Sequence, residues 1–271
     1  MPNPVLGKFD EAANRPGGGI VAPSADQLHD MYNRPAYSPA EYLTLDDVVV
    51  RTGLMLATIF GVGAVTWSLS STTVDSLGNR SVDFGAIAPL LLVGFIGGLV
   101  FGLYMAFTMK ANAFTALAYA ACEGVVLGAI SRYFDARYPG VAIQALTGTV
   151  MVAAGMLVVY KTGAIRVTPR FTRIVVGATL GAVGLMVINL IASFFVHGGL
   201  GLRTGGPLAI VFSLFCIGLA AFNLVMDFDM IERAIRSGAD RKFSWYASFG
   251  IVVTLVWLYL EILRLLGYAR R

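Results

Sequence analysis

Few ionisable side chains fall inside the apolar stretches of this 271-residue chain, so each can be weighed singly. Asp227 closes the apolar run 207–226, one turn after Asn223 on the same helical face, and is the first choice for a functional group. Glu123 stands near the middle of another run, and Glu261 lies in the last one with Arg264 three residues later on the same face. An ionised carboxylate is costly in hydrocarbon, so each must be protonated, paired, or turned toward water or a cation. For Glu123 two readings stand: a protonated acid hydrogen-bonded to a neighbouring carbonyl, which fastens helices together, or a proton or cation site. For Glu261 the plain reading is a local ion pair, with Arg264 reaching for the interface. The other is a site shared with Glu123, because both fall at similar depth on helices that run in the same direction. Two carboxylates sharing a site titrate as a pair and hold a proton between them.

Other chemistry is poorly represented. The two histidines, His29 and His197, are far apart and on opposite sides, which supports neither a metal site nor a histidine base. Cys122 and Cys216 sit inside apolar runs and read as small buried side chains. No Gly-x-Ser-x-Gly, His-Glu-x-x-His or phosphate loop occurs, and the last run has no lysine for a Schiff base, so an enzyme is not expected. Asp229 with Arg233, and Glu232 with Arg236, fit a solvated helical extension. Asn189 and His197 read as packing and interface residues.

The elements that must position these groups are long and apolar. With 57% hydrophobic and 13% charged residues, the chain is too apolar for a soluble domain of its length. Seven apolar runs, at 48–70, 86–109, 112–131, 141–160, 174–196, 207–227 and 244–266, each approach or exceed the roughly 20 residues that cross a bilayer. The expected fold is an all-α membrane protein, a seven-transmembrane-helix bundle. Pro89 and Pro207 fall in first turns, where a missing N–H costs nothing. Gly94, Gly98 and Gly102 make a small-residue stripe for close helix approach, and Gly177 and Gly181 repeat the pattern. Of the 20 Lys and Arg residues, 13 lie on the side of the N-terminus and 7 on the other. The positive-inside rule then places the N-terminus in the cytoplasm and the C-terminus outside. Arg264, Arg270 and Arg271 oppose that export, and a re-entrant last segment with both termini inside is the alternative. The net charge of +4 is scattered, which fits anionic lipid headgroups and not a nucleic acid.

Residues 1–47, rich in Pro and Gly, read as a flexible cytoplasmic tail, and 48–271 as the transmembrane domain. Within 40–47 a short surface helix is expected, ending at Asp46 and Asp47. The first 47 residues are polar, so no cleavable signal peptide is expected.

The Glu-Gly-x-x-Leu-Gly block at 123–128, the polar segment 227–238, and a seventh helix reading Leu-Tyr-Leu-Glu-Ile-Leu-Arg-Leu-Leu at 258–266 together resemble the Bax-inhibitor-1-like family, its bacterial members most. The resemblance covers roughly residues 48–266. It implies six helices around a central seventh in the cell (plasma or inner) membrane, and a pH-sensitive calcium leak. The family's sensor is a pair of hydrogen-bonded aspartates, one at the cytoplasmic end of helix six and one in helix seven. The first carries over to Asp227. The stretch matching the second is Val252-Val253-Thr254, which holds no acid, and the second run lacks the basic residue that some members place beside the pair.

Two carboxylates that share a proton bias which of two helix packings is favoured, and a local charge becomes a gate. Calcium takes oxygen ligands, so these acids with Asn223 or backbone carbonyls are chemically suited to weak Ca2+ binding, although three dispersed acids build no tight site. No other cofactor is expected. The leading expectation is therefore a proton-sensitive calcium leak through Asp227, Glu123 and Glu261, in a lipid bilayer. The second is a non-conducting regulator that binds a membrane protein partner, such as a membrane protease, through its tail. A secondary transporter lacks its signature, since no inverted repeat or matched pair of broken helices is present.

Overall fold

The structure, a computed structural model, describes residues 42–74, 80–196 and 198–270. The expected tail therefore lies outside the described residues as far as 41, and so does His197. Each of the seven apolar runs forms one helix: α1 Leu45–Leu69, α2 Ala88–Thr108, α3 Ala113–Arg137, α4 Val141–Lys161, α5 Pro169–Ser193, α6 Pro207–Arg236 and α7 Phe243–Ala269. All seven are long and apolar enough to cross a membrane. The connector between α1 and α2, not anticipated as structured, carries an antiparallel pair, β1 Ser71–Val74 and β2 Arg80–Asp83, followed by a 3-10 turn at Gly85–Ile87.

Local signals account for most helix ends. Asn112 caps α3, accepting from the Thr115 amide while the Thr115 hydroxyl accepts from the Asn112 amide. Thr168 caps α5, and Pro89, Pro169 and Pro207 occupy first turns. At α1 the expectation is corrected. Asp46 and Asp47 do not end a surface helix but open the first spanning one. Thr44 is its N-cap, accepting from the Asp47 amide at 3.2 Å, and acids in a first turn complement the helix dipole.

α7 is the central helix, in direct packing with α1, α3, α4 and α6, while α2 is carried on α3 and α5 on α6. Burial follows this order, with α3, α6 and α7 well covered and the other four presenting mostly exposed apolar side chains, as lipid-facing helices do. We call the end where α1 begins the proximal face and the end where α7 finishes the distal face. α7 runs the length of the bundle, and Arg270 at its end donates to Pro139 O and Gln144 Oε1 beside the α3–α4 connector.

Glycines set the closest contact. A Cβ on Gly128 would lie 2.5 Å from Gly63 O, and one on Gly124 would lie 2.8 Å from Ile59 O, so α1 and α3 touch backbone to backbone. Gly94, Gly98 and Gly102 receive Val125, Cys122 and Tyr119 of α3, as their stripe suggests. Gly177 and Gly181 differ from expectation: a Cβ on either would meet nothing within 4 Å, because α5 turns that face away from the bundle.

The proximal face is tied by polar contacts. Leu43 N donates to Ala239 O, Arg241 Nε pairs with Asp47 Oδ1 at 2.8 Å, and Arg51 donates to Arg241 O while lying over the Trp245 ring. The charged end of α6 is more than a solvated extension. Asp229 and Glu232 do pair with Arg233 and Arg236, but Ile231 is buried with Leu43, Val48 and Ala247, and Glu232 also accepts from the Tyr160 hydroxyl of α4.

Candidate functional site

The three acids occupy three separate places. Asp227 does not end α6. It sits nine residues before the helix finishes and faces α7, where the Thr254 hydroxyl lies 2.6 Å from Asp227 Oδ2. That hydroxyl also lies 3.1 Å from the Gly250 carbonyl one turn earlier in α7. Gly250 leaves room at the other carboxylate oxygen, since a Cβ there would be 3.7 Å from Oδ1. Among the described residues no cation pairs with Asp227. Thr254 is eleven residues into α7, or roughly 16 Å of helix from its start, which puts the contact well inside the bundle. The stretch 252–254, matched in sequence to the missing second acid, thus does face Asp227, with a neutral hydroxyl in place of a carboxylate.

Asn223 is not part of this contact. Its amide donates to Thr179 Oγ1 of α5 and to Leu219 O, fastening α5 to α6. Asn189 also acts structurally, its Oδ1 accepting from the Leu200 amide at 2.9 Å in the α5–α6 connector.

Glu123 faces α2, where the space left by Gly98 is 3.8 Å from its Oε1, and has the Tyr119 hydroxyl one turn earlier on its own helix. The depth relation expected for Glu123 and Glu261 is corrected by two contacts between α3 and α7. Tyr119 stacks edge-on against Phe249 at 5.0 Å, and Ser131 Oγ is 2.6 Å from the Tyr259 hydroxyl. These fix a register in which Glu123 is level with 252–253, close to the Asp227–Thr254 layer. Glu261 lies about nine residues farther on, roughly 13 Å along the axis. The two helices start at about the same height, but Glu123 is ten residues into α3 and Glu261 eighteen into α7, so a shared direction does not give a shared depth.

Glu261 is the most enclosed charge, with no exposed surface. Arg203, from the α5–α6 connector, holds it with two parallel hydrogen bonds, to Oε2 at 3.1 Å and to Oε1 at 3.0 Å. Arg264 adds a third at 2.9 Å to Oε1, the local ion pair expected from the spacing. Arg203 was missed in the sequence because nothing in an isolated basic residue in a Gly-rich connector says that it folds back over α7. Two guanidiniums give this one carboxylate three charge-assisted hydrogen bonds and place excess positive charge beside it, which opposes a cation there. Among the described residues no three His, Cys, Asp or Glu side chains converge as a metal site.

For the three candidate acids, geometry therefore gives an interhelical contact, Asp227–Thr254, an acid at a similar level beside Tyr119, Glu123, and a charge triad near the distal face, Glu261 with Arg203 and Arg264. No curated protein and no solved structure matches the chain. A protein-family model described as Bax inhibitor 1 like does match it, over residues 3–271, well beyond the stretch on which the likeness was first drawn. A multi-pass membrane protein with seven spanning helices, the chain belongs to the Bax inhibitor 1-like family.

Proposed function

We propose that this protein is a proton-sensitive leak path for calcium across the cell (plasma or inner) membrane, gated at the Asp227–Thr254 contact, with its N-terminus in the cytoplasm. The observation that carries the reading is that the Thr254 hydroxyl has one proton and two acceptors, Asp227 Oδ2 at 2.6 Å and Gly250 O at 3.1 Å. When Asp227 is protonated it donates to Thr254, which donates to Gly250 O, and the chain of bonds is complete without charge. When Asp227 is ionised, Thr254 turns its proton to the carboxylate, and the remaining lone pairs call for water or a cation. Protonation thus selects between a dry α6–α7 contact and a hydrated one. Glu123, close to the same level on α3 but turned toward α2, is the second carboxylate we assign to the path as an oxygen ligand for calcium. Dispersed carboxylates suit weak, transient coordination and therefore a leak. Glu261 has no part in this path, because two arginines already occupy it.

The test is calcium flux into liposomes that hold the purified protein, at about pH 6 and about pH 8, with Asp227→Asn beside wild type. Wild-type flux that changes with pH, and a variant in which that change is lost, is the expected result. Flux no greater than in protein-free liposomes at either pH would sink the leak. The reading would then pass to a non-conducting regulator that docks a membrane partner. That second reading is favoured by an apolar groove of about 790 Å³ in which Phe60 of α1, Ile143 and Val150 of α4, and Leu255 of α7 face one another.

A further inference from the structure

At the distal face a second cavity, of about 320 Å³, opens among the ends of α3 and α7 and the α5–α6 connector. Its lining is chemically unlike the rest of the bundle: Arg137, Arg203 and Arg264 with the rings of Tyr133, Tyr138 and Tyr268. The floor is set by close packing, since a Cβ on Gly267 would lie 2.7 Å from the Phe134 ring. Arg203 is steadied from three sides, by Glu261, by the Phe212 ring 5.6 Å away, and by the Tyr268 hydroxyl, which donates to its carbonyl.

The charges do not balance. Three guanidiniums border the cavity and one carboxylate, Glu261, lies behind them with no exposed surface. Arg203 and Arg264 keep 23% and 28% of their side chains exposed, so part of each planar fork still faces the opening. Arg137 is exposed and, among the described residues, has no hydrogen-bond or ion-pair partner. The nearest other acid on α3, Asp135, accepts from the Gly140 amide and borders the apolar groove instead. Arg270 is engaged with Pro139 and Gln144. A positive cavity of this size, walled by planar N–H donors and aromatic rings, matches an oxyanion with several acceptor oxygens.

We infer that this cavity is a binding site for a phosphate group, held by Arg137, Arg203 and Arg264. The group can arrive as the headgroup of an anionic phospholipid at the membrane surface or as free phosphate, and the chemistry of capture is the same. Arg203 and Arg264 are positioned by Glu261, so the buried acid organises the anion site while the three guanidiniums outnumber its charge. Arg137 is the arm that closes on the bound group.

The experiment uses the full-length protein in maltoside micelles with two probes. Inorganic phosphate is followed by broadening of its phosphorus NMR line. Phosphatidylglycerol is followed by native mass spectrometry in competition with phosphatidylcholine. Saturable binding of phosphate, or preferential retention of phosphatidylglycerol, is expected for wild type, and the probe that binds identifies the source. Arg137→Gln removes no internal partner, so it should fold like wild type and weaken binding about tenfold, the scale of one charge-assisted hydrogen bond. Arg137→Lys, which keeps the charge, should recover part of the loss. No saturable binding of either probe would overturn the site. So would binding that is equal in wild type and Arg137→Gln, which would place the anion elsewhere.

Discussion

Asp227 of α6 and Thr254 of α7 meet at 2.6 Å in the middle of the bundle, and the α7 hydroxyl is at the same time 3.1 Å from the carbonyl of Gly250. Two helices are thereby joined through a group that can point its one proton in either direction. The arrangement needs a hydroxyl at 254 as much as an acid at 227, which separates it from a simple carboxylate pair.

Thr254→Val keeps the branched shape but removes the hydroxyl. The acid then loses its partner, a change of about 1–3 kcal/mol for a buried polar group. Calcium flux in liposomes across pH 6 to pH 8 should lose the wild-type pH response in Thr254→Val and retain it in Thr254→Ser. Equal profiles for the two variants would remove Thr254 from the gate.

Glu261 pairs with two arginines at a site with no exposure. Glu261→Ala leaves both guanidiniums facing each other across a partly buried space, and breaking such a pair costs on the order of 3–5 kcal/mol. Arg264→Met should cost clearly less, because Arg203 still holds the carboxylate with two bonds. Thermal unfolding in detergent should therefore rank wild type above Arg264→Met, and that variant above Glu261→Ala. The reverse order would mean that Arg203 is not the principal partner.

Gly128→Ala should be among the most damaging substitutions of a single methyl group in the chain. The new Cβ would meet backbone atoms of Gly63 at 2.5 and 2.9 Å, which no rotamer can relieve, so α1 and α3 must separate. Gly181→Ala adds the same methyl where nothing lies within 4 Å, and a better helix former at an exposed position should leave stability unchanged or slightly raised. Comparing folded yield and unfolding temperature of the two variants checks the assignment. Similar losses would show that α5 packs its glycine face after all.

The helices were legible because hydrocarbon leaves few alternatives: a run of spanning length must satisfy its own backbone, and it does so as a helix. The likeness read from Glu123 to Gly128 was sound as a family signal, yet the physical content of that block lies in Gly124 and Gly128, which admit α1, more than in the acid between them and Cys122. What the sequence could not supply was register. The helical extension beyond Asp227 was expected from the spacing of its charges, but not that these nine residues of α6 would pack Ile231 against α7. The pairing of Glu261 with Arg264 was visible at three-residue spacing, while Arg203, 58 positions away, was not. The β1–β2 hairpin was hidden for another reason, since eight short, polar, lightly patterned residues carry almost no periodic signal.

The helix at the centre of the fold is also made after the other six. Asp227, Ser131 and Arg203 find their partners Thr254, Tyr259 and Glu261 on α7. Until that helix has left the ribosome and entered the bilayer, the earlier helices stand around an unfilled axis with polar groups facing one another or lipid. Insertion of that one segment fills the axis and brings the partners of all three groups. A chain arrested before α7 would present those unmet groups to the machinery that inspects membrane proteins, and the architecture carries its own signal of completeness.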